Sequence, residues 1–567
     1  ATSVLVFSAM VQPLYAIERH PAPVASQEAT NSLPTGETLT GSDDATPLGV
    51  NVGGIAVDDA ISELPSGDIS GVEIATANPV INDPKLRNTL NGFIGQPLSF
   101  KLIDDVRAVI VKHMRDRNRP LVAVIVPPQE ITGGTLRVAV LPFVVGEKKV
   151  DRLQSEHRRS SDEEVLGSVR VQPGEEINSR QLIEDLNWLN RSPFRKVGAV
   201  FDKGRLPGET DITLTLRDDR PWQVFGGYMN SGTQATGYDR LYGGLAAELP
   251  WDALISYQYV TSPETVYSDG RFHNLAGDKA YLSHSFSYAQ AFENRMRLTV
   301  DGSYIHSRAR QTNVLVQDSR LIETGAQISF PASALGPASE VFAGVEVKQQ
   351  QAEREFSGIP LGASNIEIYQ LNAGLSSNAQ WKTHRFGYGL KAVFSPGGIG
   401  ANNTDAAFQA FSANTRMKSR YGYLQAWGNA AIDLPGDWRF DVTGRGQLAS
   451  GVLPETERFD IGGTGSVRGY STGEASGDHG LAIQTELHLP LMDLGQVSID
   501  LFGFTDHGRV FDRNTSRWTE MTSIGLGAGL KLADRLSLQA SWGHTLEAGP
   551  VSRKHDNRLH VGLTAYY

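Results

Sequence analysis

The chain has 567 residues, with 59 Gly, 27 Pro, no Cys, 20% charged residues and a formal net charge of −11. Without cysteine there is no disulfide, thiol nucleophile or Cys-ligated metal site, and the acidic balance does not invite a polyanion such as nucleic acid across the whole surface. The mean hydropathy is −0.26, and no apolar run reaches the ~20 residues of a membrane helix; a β-barrel stays open, because its strands are only half apolar.

In chain order, Val4-Leu5-Val6-Phe7-Ser8-Ala9-Met10-Val11 followed by Pro13-Leu14-Tyr15-Ala16 reads as the apolar core and end of a secretory signal, so residues 1–16 are taken as its remnant. Residues 17–71 are rich in Pro, Ser, Thr, Gly and Asp, and read as a linker or N-terminal arm. Val57 to Leu64 could make two helical turns there and no more.

Two similar modules are expected next, over 72–148 and 149–218. In the first, Val72–Ala75 reads as a strand and Asp83–Ile94 as a helix. Phe100–Met114 reads as an amphipathic helix, with Leu102, Ile103, Val106, Val109, Ile110 and Met114 on one face. Leu121–Val126 and Thr135–Val140 then read as strands. The second module repeats the β-α-α-β-β order, with a helix over Arg180–Asn190 carrying Leu182, Leu186 and Leu189 on one stripe, and a closing strand over Thr210–Leu216.

The last ~350 residues, 219–567, show no convincing helix and instead a train of alternating strands. Examples are Met296/Leu298/Val300, Trp438/Phe440/Val442 and Leu559/Val561/Leu563, each interleaved with polar residues. A soluble sandwich would alternate too. However, the segments run to about 10–14 residues against the usual 5–6 of globular strands. Short turns such as Pro435-Gly436-Asp437 and Ala533-Asp534 also alternate with long loops, as in outer-membrane barrels. About 20 residues per strand and connection gives around 17 segments. Closure favours an even number, so 16 antiparallel strands are expected, with Ala406–Ala413 assigned to a loop.

One loop, around 451–480, carries Phe459-Asp-Ile-Gly-Gly-Thr-Gly-Ser-Val-Arg-Gly-Tyr470. Val467-Arg468-Gly469-Tyr470 resembles the VRGY motif of the polypeptide-transporting outer-membrane barrel superfamily, and Phe504-Thr-Asp-His-Gly508 resembles its second barrel motif. Together with Pro127–Leu136 and Asn230–Gly237, the pattern over about 72–567 resembles the two-partner secretion transporters (TpsB), the exporters of haemolysin and filamentous-haemagglutinin type proteins. The resemblance implies two periplasmic POTRA modules ahead of an outer-membrane barrel in a Gram-negative bacterium. It also implies a VRGY loop folded into the lumen with Arg468 against Asp506. By strand parity Asp506 points inward, like Ser498 and Asp500, where a charge-assisted pair can form. Gly503, Gly525, Gly527 and Gly529, on or beside the inward face, are expected to leave room for the loop tip.

The implied partners are a secreted exoprotein of adhesin, haemolysin or contact-dependent toxin type, outer-membrane lipid, and the barrel-assembly machinery for the protein's own insertion; nucleic acid is not expected. No cofactor, metal or catalytic constellation is read: Gly462–Val467 lacks nucleotide-loop spacing, and the 13 His are scattered without metal-site spacing. Such transporters usually carry an N-terminal plug helix, for which Val57–Leu64 is a weak candidate. An outer-membrane protein insertase of the same superfamily and a diffusion porin are the alternatives; the first usually has more POTRA modules, and the second needs neither the modules nor the loop.

Overall fold

The computed structural model describes residues 42–153, 160–263, 267–268, 271–272, 280–310, 315–381, 383–533 and 535–567. Residues 1–16, read above as a signal remnant, residues 17–41 of the arm and Asp534 lie outside the described residues. The chain divides near Asp219 into an N-terminal unit and a barrel.

In the N-terminal unit the first sheet has the strand order 71–74, 54–58, 135–142, 122–125. Gly54–Asp58 pairs in parallel with both Gly71–Ile74 and Thr135–Pro142. This corrects the reading of 17–71 as a linker with helical turns: Gly54-Ile-Ala-Val-Asp58 is buried along its whole length at the centre of the sheet. A strand flanked on both sides and covered by helices is apolar without alternation, so its period does not announce it. The only helical turn described near there is the short Ile61–Glu63.

Helices Pro84–Asn91 and Phe100–Asp116 cover the sheet. Each starts at a capped residue: Asp83 accepts from the Lys85 N–H at 2.8 Å, and Ser99 accepts from the Leu102 N–H at 3.2 Å. The expected stripe Leu102, Val106, Ile110 and Met114 is buried against Ile55, Val57, Leu136 and Val138, while Ile103 and Val109 pack at its margin.

The second module has the sheet order 144–152, 209–218, 195–203 and helices Asp162–Gly167 and Ser179–Leu189. Leu182, Leu186 and Leu189 enter its core with Ile212, Leu214 and Leu216.

The described barrel residues form sixteen strands: β1 (Trp222–Met229), β2 (Arg240–Glu248), β3 (Ala253–Thr261), β4 (Tyr281–Ala291), β5 (Arg297–Arg310), β6 (Leu315–Pro331), β7 (Ala338–Phe356) and β8 (Ile359–Trp381). They continue with β9 (His384–Ser395), β10 (Tyr421–Asp433), β11 (Arg439–Ala449), β12 (His479–His488), β13 (Val497–Asp512), β14 (Arg517–Leu532), β15 (Leu536–Thr545) and β16 (Asn557–Tyr566). Neighbours are antiparallel, and β16 closes on β1 from Gly562 opposite Met229 to Tyr566 opposite Phe225.

The register separates two faces. Leu298 opposes Ile328, Ile328 opposes Ala343, and Val345 opposes Ala326 and Leu371, all on the outside. Ile328, Val345 and Leu371 are exposed there, as are Leu390, Leu424, Leu526 and Leu559 elsewhere around the wall. Ser256, Ser287 and Asp301 oppose one another on the inside. A sandwich would bury its apolar set between two sheets. Here the apolar set forms an outward belt, which only lipid can cover without cost.

Ala406–Ala413 is not a strand, in keeping with the count of 16, but the expectation of a helix-free region fails there. Asp405–Ser412 is a helix capped by Thr404, and it buries Phe408 and Phe411 against Ile366, Ile368, Tyr421 and Leu453. The two phenylalanines stand three apart, on one helical face.

Ile55→Ala should destabilise the first module by about 2–5 kcal/mol, as for other fully buried aliphatics. Limited proteolysis of the full-length protein in detergent should then cut within 42–150 faster than in the wild type; an unchanged cleavage rate would place Gly54–Asp58 outside the module's core.

Candidate functional site: the inward-folded loop

The loop between β11 and β12 turns back along the inner wall. Phe459–Ile461 pairs antiparallel with Ala475–Gly477 to form a stem, and the tip runs over 462–474. Gly462, Gly463, Gly469 and Gly473 have φ between 59° and 108°, a region that side chains disfavour. Phe459, Ile461, Val467 and Tyr470 are buried with Ala482, Val510 and Met521. The apolar side of the loop is therefore spent on the wall, which holds it inside.

Arg468 makes the contact that the resemblance implied. Its Nε donates to Asp506 Oδ2 and its Nη2 to Oδ1, each at 2.7 Å, and its backbone N–H adds a third bond at 3.0 Å. Asp506 has no exposed surface and Arg468 is 5% exposed. The guanidinium also lies 3.7 Å over the Phe504 ring, and Nη1 reaches Glu486 on β12. Glu486 in turn meets His488 at 3.1 Å, and His488 meets Asp500 at 2.8 Å. Asp506 and Arg468 thus come together as the resemblance implied, with Phe504 of the second motif beneath the guanidinium; Glu486 was not singled out in the sequence.

The glycines work differently from expectation. Phe504 opposes Gly525 and Phe502 opposes Gly527, and a side chain on either glycine would collide with the opposing ring. These two notches seat the aromatics that back Arg468; they do not receive the loop tip. Gly529 opposes Asp500 and meets its neighbours only at ordinary contact distance, and Gly503 opposes Leu526 on the outer face.

Room for the tip comes from Gly508, the last residue of the second barrel motif, and from Gly543, a glycine that the sequence did not mark. A Cβ on Gly508 would lie 2.7 Å from Val467 Cγ2, and one on Gly543 would lie 2.6 Å from the Gly469 nitrogen. The Gly469 N–H donates to His560 Nε2 on β16 at 3.2 Å. Tyr470 is fully buried, its hydroxyl between the carbonyl oxygens of Thr522 (3.0 Å) and Glu547 (2.9 Å). Glu474 accepts from the N–H groups of Val551 (3.0 Å) and Ser552 (2.7 Å), tying the tip to the β15–β16 loop. Nothing in the spacing of Gly543, His560 or Glu474 sets them apart in sequence.

The burial predicts an asymmetric response. Arg468→Ala leaves Asp506 enclosed without its cation, at a cost of up to about 3–5 kcal/mol, whereas Asp506→Ala leaves Arg468 with Glu486. Thermal unfolding in detergent should therefore fall more for Arg468→Ala, and the double variant should be little worse than Arg468→Ala, a non-additive cycle. Additive losses would mean that the residues act separately. Gly508→Val should press on Val467 and lower the transition as well, by about 1–3 kcal/mol; an unshifted transition would mean that the tip does not sit against β13.

The family model described as haemolysin secretion/activation protein ShlB/FhaC/HecB matches residues 208–532, and the ShlB-type POTRA domain matches 68–142. The heme/hemopexin transporter protein HuxB of Haemophilus influenzae is 24% identical over 482 residues, covering 80% of this chain and 79% of that protein. The outer membrane transporter CdiB-2 of Burkholderia pseudomallei is 22% identical over 510 residues, covering 87% and 81%. Among solved structures, CdiB from Escherichia coli aligns with a TM-score of 0.64 at 14% identity, covering 95% of this chain and 94% of that one. CdiB from Acinetobacter baumannii aligns with a TM-score of 0.59 at 17% identity, covering 91% and 90%. With the secretion-protein model spanning more than half of a chain that closes into this barrel, the protein belongs to the haemolysin secretion/activation (ShlB/FhaC/HecB) family of outer-membrane transporters.

Proposed function

We propose that this transporter captures an unfolded partner protein in the periplasm through two POTRA modules and passes it outward through the barrel, with the VRGY loop as the element that must yield. The observation that carries the reading is the loop itself, inserted in the lumen and locked by Arg468 to Asp506. A pore for small solutes needs neither a POTRA module nor a VRGY loop, and this chain has both. The second module, 149–218, has the same kind of helix-covered sheet as the first and is read as a POTRA as well. Among the described residues both sheets end in strands with a strand partner on one side only, 71–74 and 122–125 in the first, 195–203 and 144–152 in the second, the last bridged at Val144 to Glu176, and such edges accept an extended segment as an added strand.

HuxB is named for heme/hemopexin transport and CdiB-2 as an outer membrane transporter. For this chain the cargo is proposed as a large exoprotein of adhesin, haemolysin or contact-dependent toxin type. Among the described residues no nucleotide-binding loop is formed, and folding of the cargo outside is proposed to give the transport its direction. Lipid covers the outer belt, and insertion of the barrel is assigned to the assembly machinery.

Two outcomes test this. The protein should fractionate with the outer membrane and run as a compact, heat-modifiable band in unboiled gel samples; folded protein recovered from the soluble periplasm would overturn the barrel reading. Deleting 42–218, a cut that must precede Gly54 because that strand belongs to the first sheet, should abolish secretion while the heat-modifiable band persists. Secretion at normal yield would place recognition elsewhere.

A further inference from the structure

The loop has a second buried charge, at the opposite end from Arg468. Glu457 sits in the short turn Glu455–Glu457, where the loop enters the barrel, and has no exposed surface. Its carboxylate accepts from Lys348 Nζ on β7 (2.8 Å), Gln370 Nε2 on β8 (2.9 Å) and the Tyr423 hydroxyl on β10 (2.7 Å). The Thr456 hydroxyl adds a fourth bond at 2.9 Å, and Gln447 Nε2 on β11 donates to the Glu457 carbonyl at 2.9 Å. Four bonds satisfy a carboxylate's acceptor capacity, and one of them comes from a cation that is itself only 3% exposed. Next to it, Val452 and Leu453 pack with Phe408 and Phe411 of the β9–β10 helix.

The strands involved are what matter. Arg468 is held by β12 and β13, whereas Glu457 is held by β7, β8 and β10, a different arc of the wall. A turn that only connected two strands at the barrel mouth would leave its carboxylate in water, since burying a charge is costly unless it is fully paired. Lys348 also lies 3.5 Å from Glu346 and 3.8 Å from Glu323. Its charge is therefore met without Glu457, and what Glu457 adds is the tether.

We propose that Glu457 is a second lock on the inward loop, a positioning residue that holds its entering arm to β7, β8 and β10 independently of the Arg468–Asp506 pair. The loop is then held by two buried charge locks on two arcs, besides the ties of its tip to β14, β16 and the β15–β16 loop. Breaking the Arg468 pair alone leaves it inserted, and clearing the lumen for a passing chain requires both locks to open. This rests on the reading of Arg468–Asp506 as the first lock.

The absence of cysteine allows a direct test in the full-length protein in whole cells. Thr464→Cys places the only thiol at the loop tip, to be labelled from outside with a maleimide-PEG too large to enter the barrel; Lys554→Cys, in the β15–β16 loop, serves as the accessible control. Labelling at position 464 should be slow in the otherwise wild-type protein and rise less than about threefold with Arg468→Ala. It should rise tenfold or more with Arg468→Ala and Glu457→Gln together, because two local constraints must both be lost for the tip to leave. Glu457→Gln keeps the side-chain volume, and the heat-modifiable band confirms that each barrel has folded. Adding Lys348→Met to the Arg468→Ala, Glu457→Gln protein should not slow labelling, since the tether is already gone; slowing would show that an unpaired lysine had caused the effect, and would overturn the assignment. Full labelling with Arg468→Ala alone, or equal labelling of the single and double variants, would also overturn it. Secretion by Arg468→Ala is scored in the same cells and reports on the first lock by itself, so failure of either reading is seen separately.

Discussion

A guanidinium held in bidentate fashion by a carboxylate with no access to solvent is the interaction on which the interior of this barrel is organised. Arg468 and Asp506 meet where two requirements conflict. A loop that starts and ends at the barrel mouth has polar backbone to satisfy, and the lumen offers few partners that water does not offer outside. The pair resolves this by giving the loop tip a bond that gains strength from burial, because its geometry satisfies both charges at once. Phe504 under the guanidinium and Gly525 behind Phe504 extend the arrangement across two strands. The lock is therefore as much a matter of ring packing as of charge.

The remaining contacts of the loop follow from the same constraint. Once the tip is inside, every backbone and side-chain group that loses water needs a partner. His560 for the Gly469 N–H, the Thr522 and Glu547 carbonyls for Tyr470, and the amides of Val551 and Ser552 for Glu474 supply them. They lie on three further elements, so the tip is tied to β14, β16 and the β15–β16 loop as well as to β12 and β13. Many modest bonds spread over several strands make an element that is stable at rest and yet can be released stepwise, unlike an apolar plug of the same size.

The barrel wall serves this loop with two kinds of glycine. Gly525 and Gly527 make notches for rings on the neighbouring strand, whereas Gly508 and Gly543 let the loop's Val467 and Gly469 approach the wall. In the sequence Gly508 ends a motif, Gly525 and Gly527 alternate on an inward face, and Gly543 carries no mark. Only the register, which sets Phe504 opposite Gly525 and leaves Gly508 under Val467, separates the two roles.

Alternation with period two, long segments and unequal loops sufficed to read a barrel of about seventeen segments from the sequence, because lipid outside and water inside impose one rule on every strand, and the even count that closure favours gave sixteen. The helical stripe of Phe100–Met114 was legible because one face packs on a sheet and the other meets water, and Arg468 and Asp506 were legible once their motifs were seen together. Three things were decided by tertiary structure alone. Gly54–Asp58 joins the centre of a sheet, where burial on both faces erases the periodic signal. The helix Asp405–Ser412 forms because Phe408 and Phe411 find a pocket between strands far away in sequence. Glu457 and Glu474 become anchors because folding the loop inward takes them out of water and surrounds them with donors. Their chemistry is set by what encloses them, and a charge in a polar loop carries no mark of that enclosure until the barrel has closed around it.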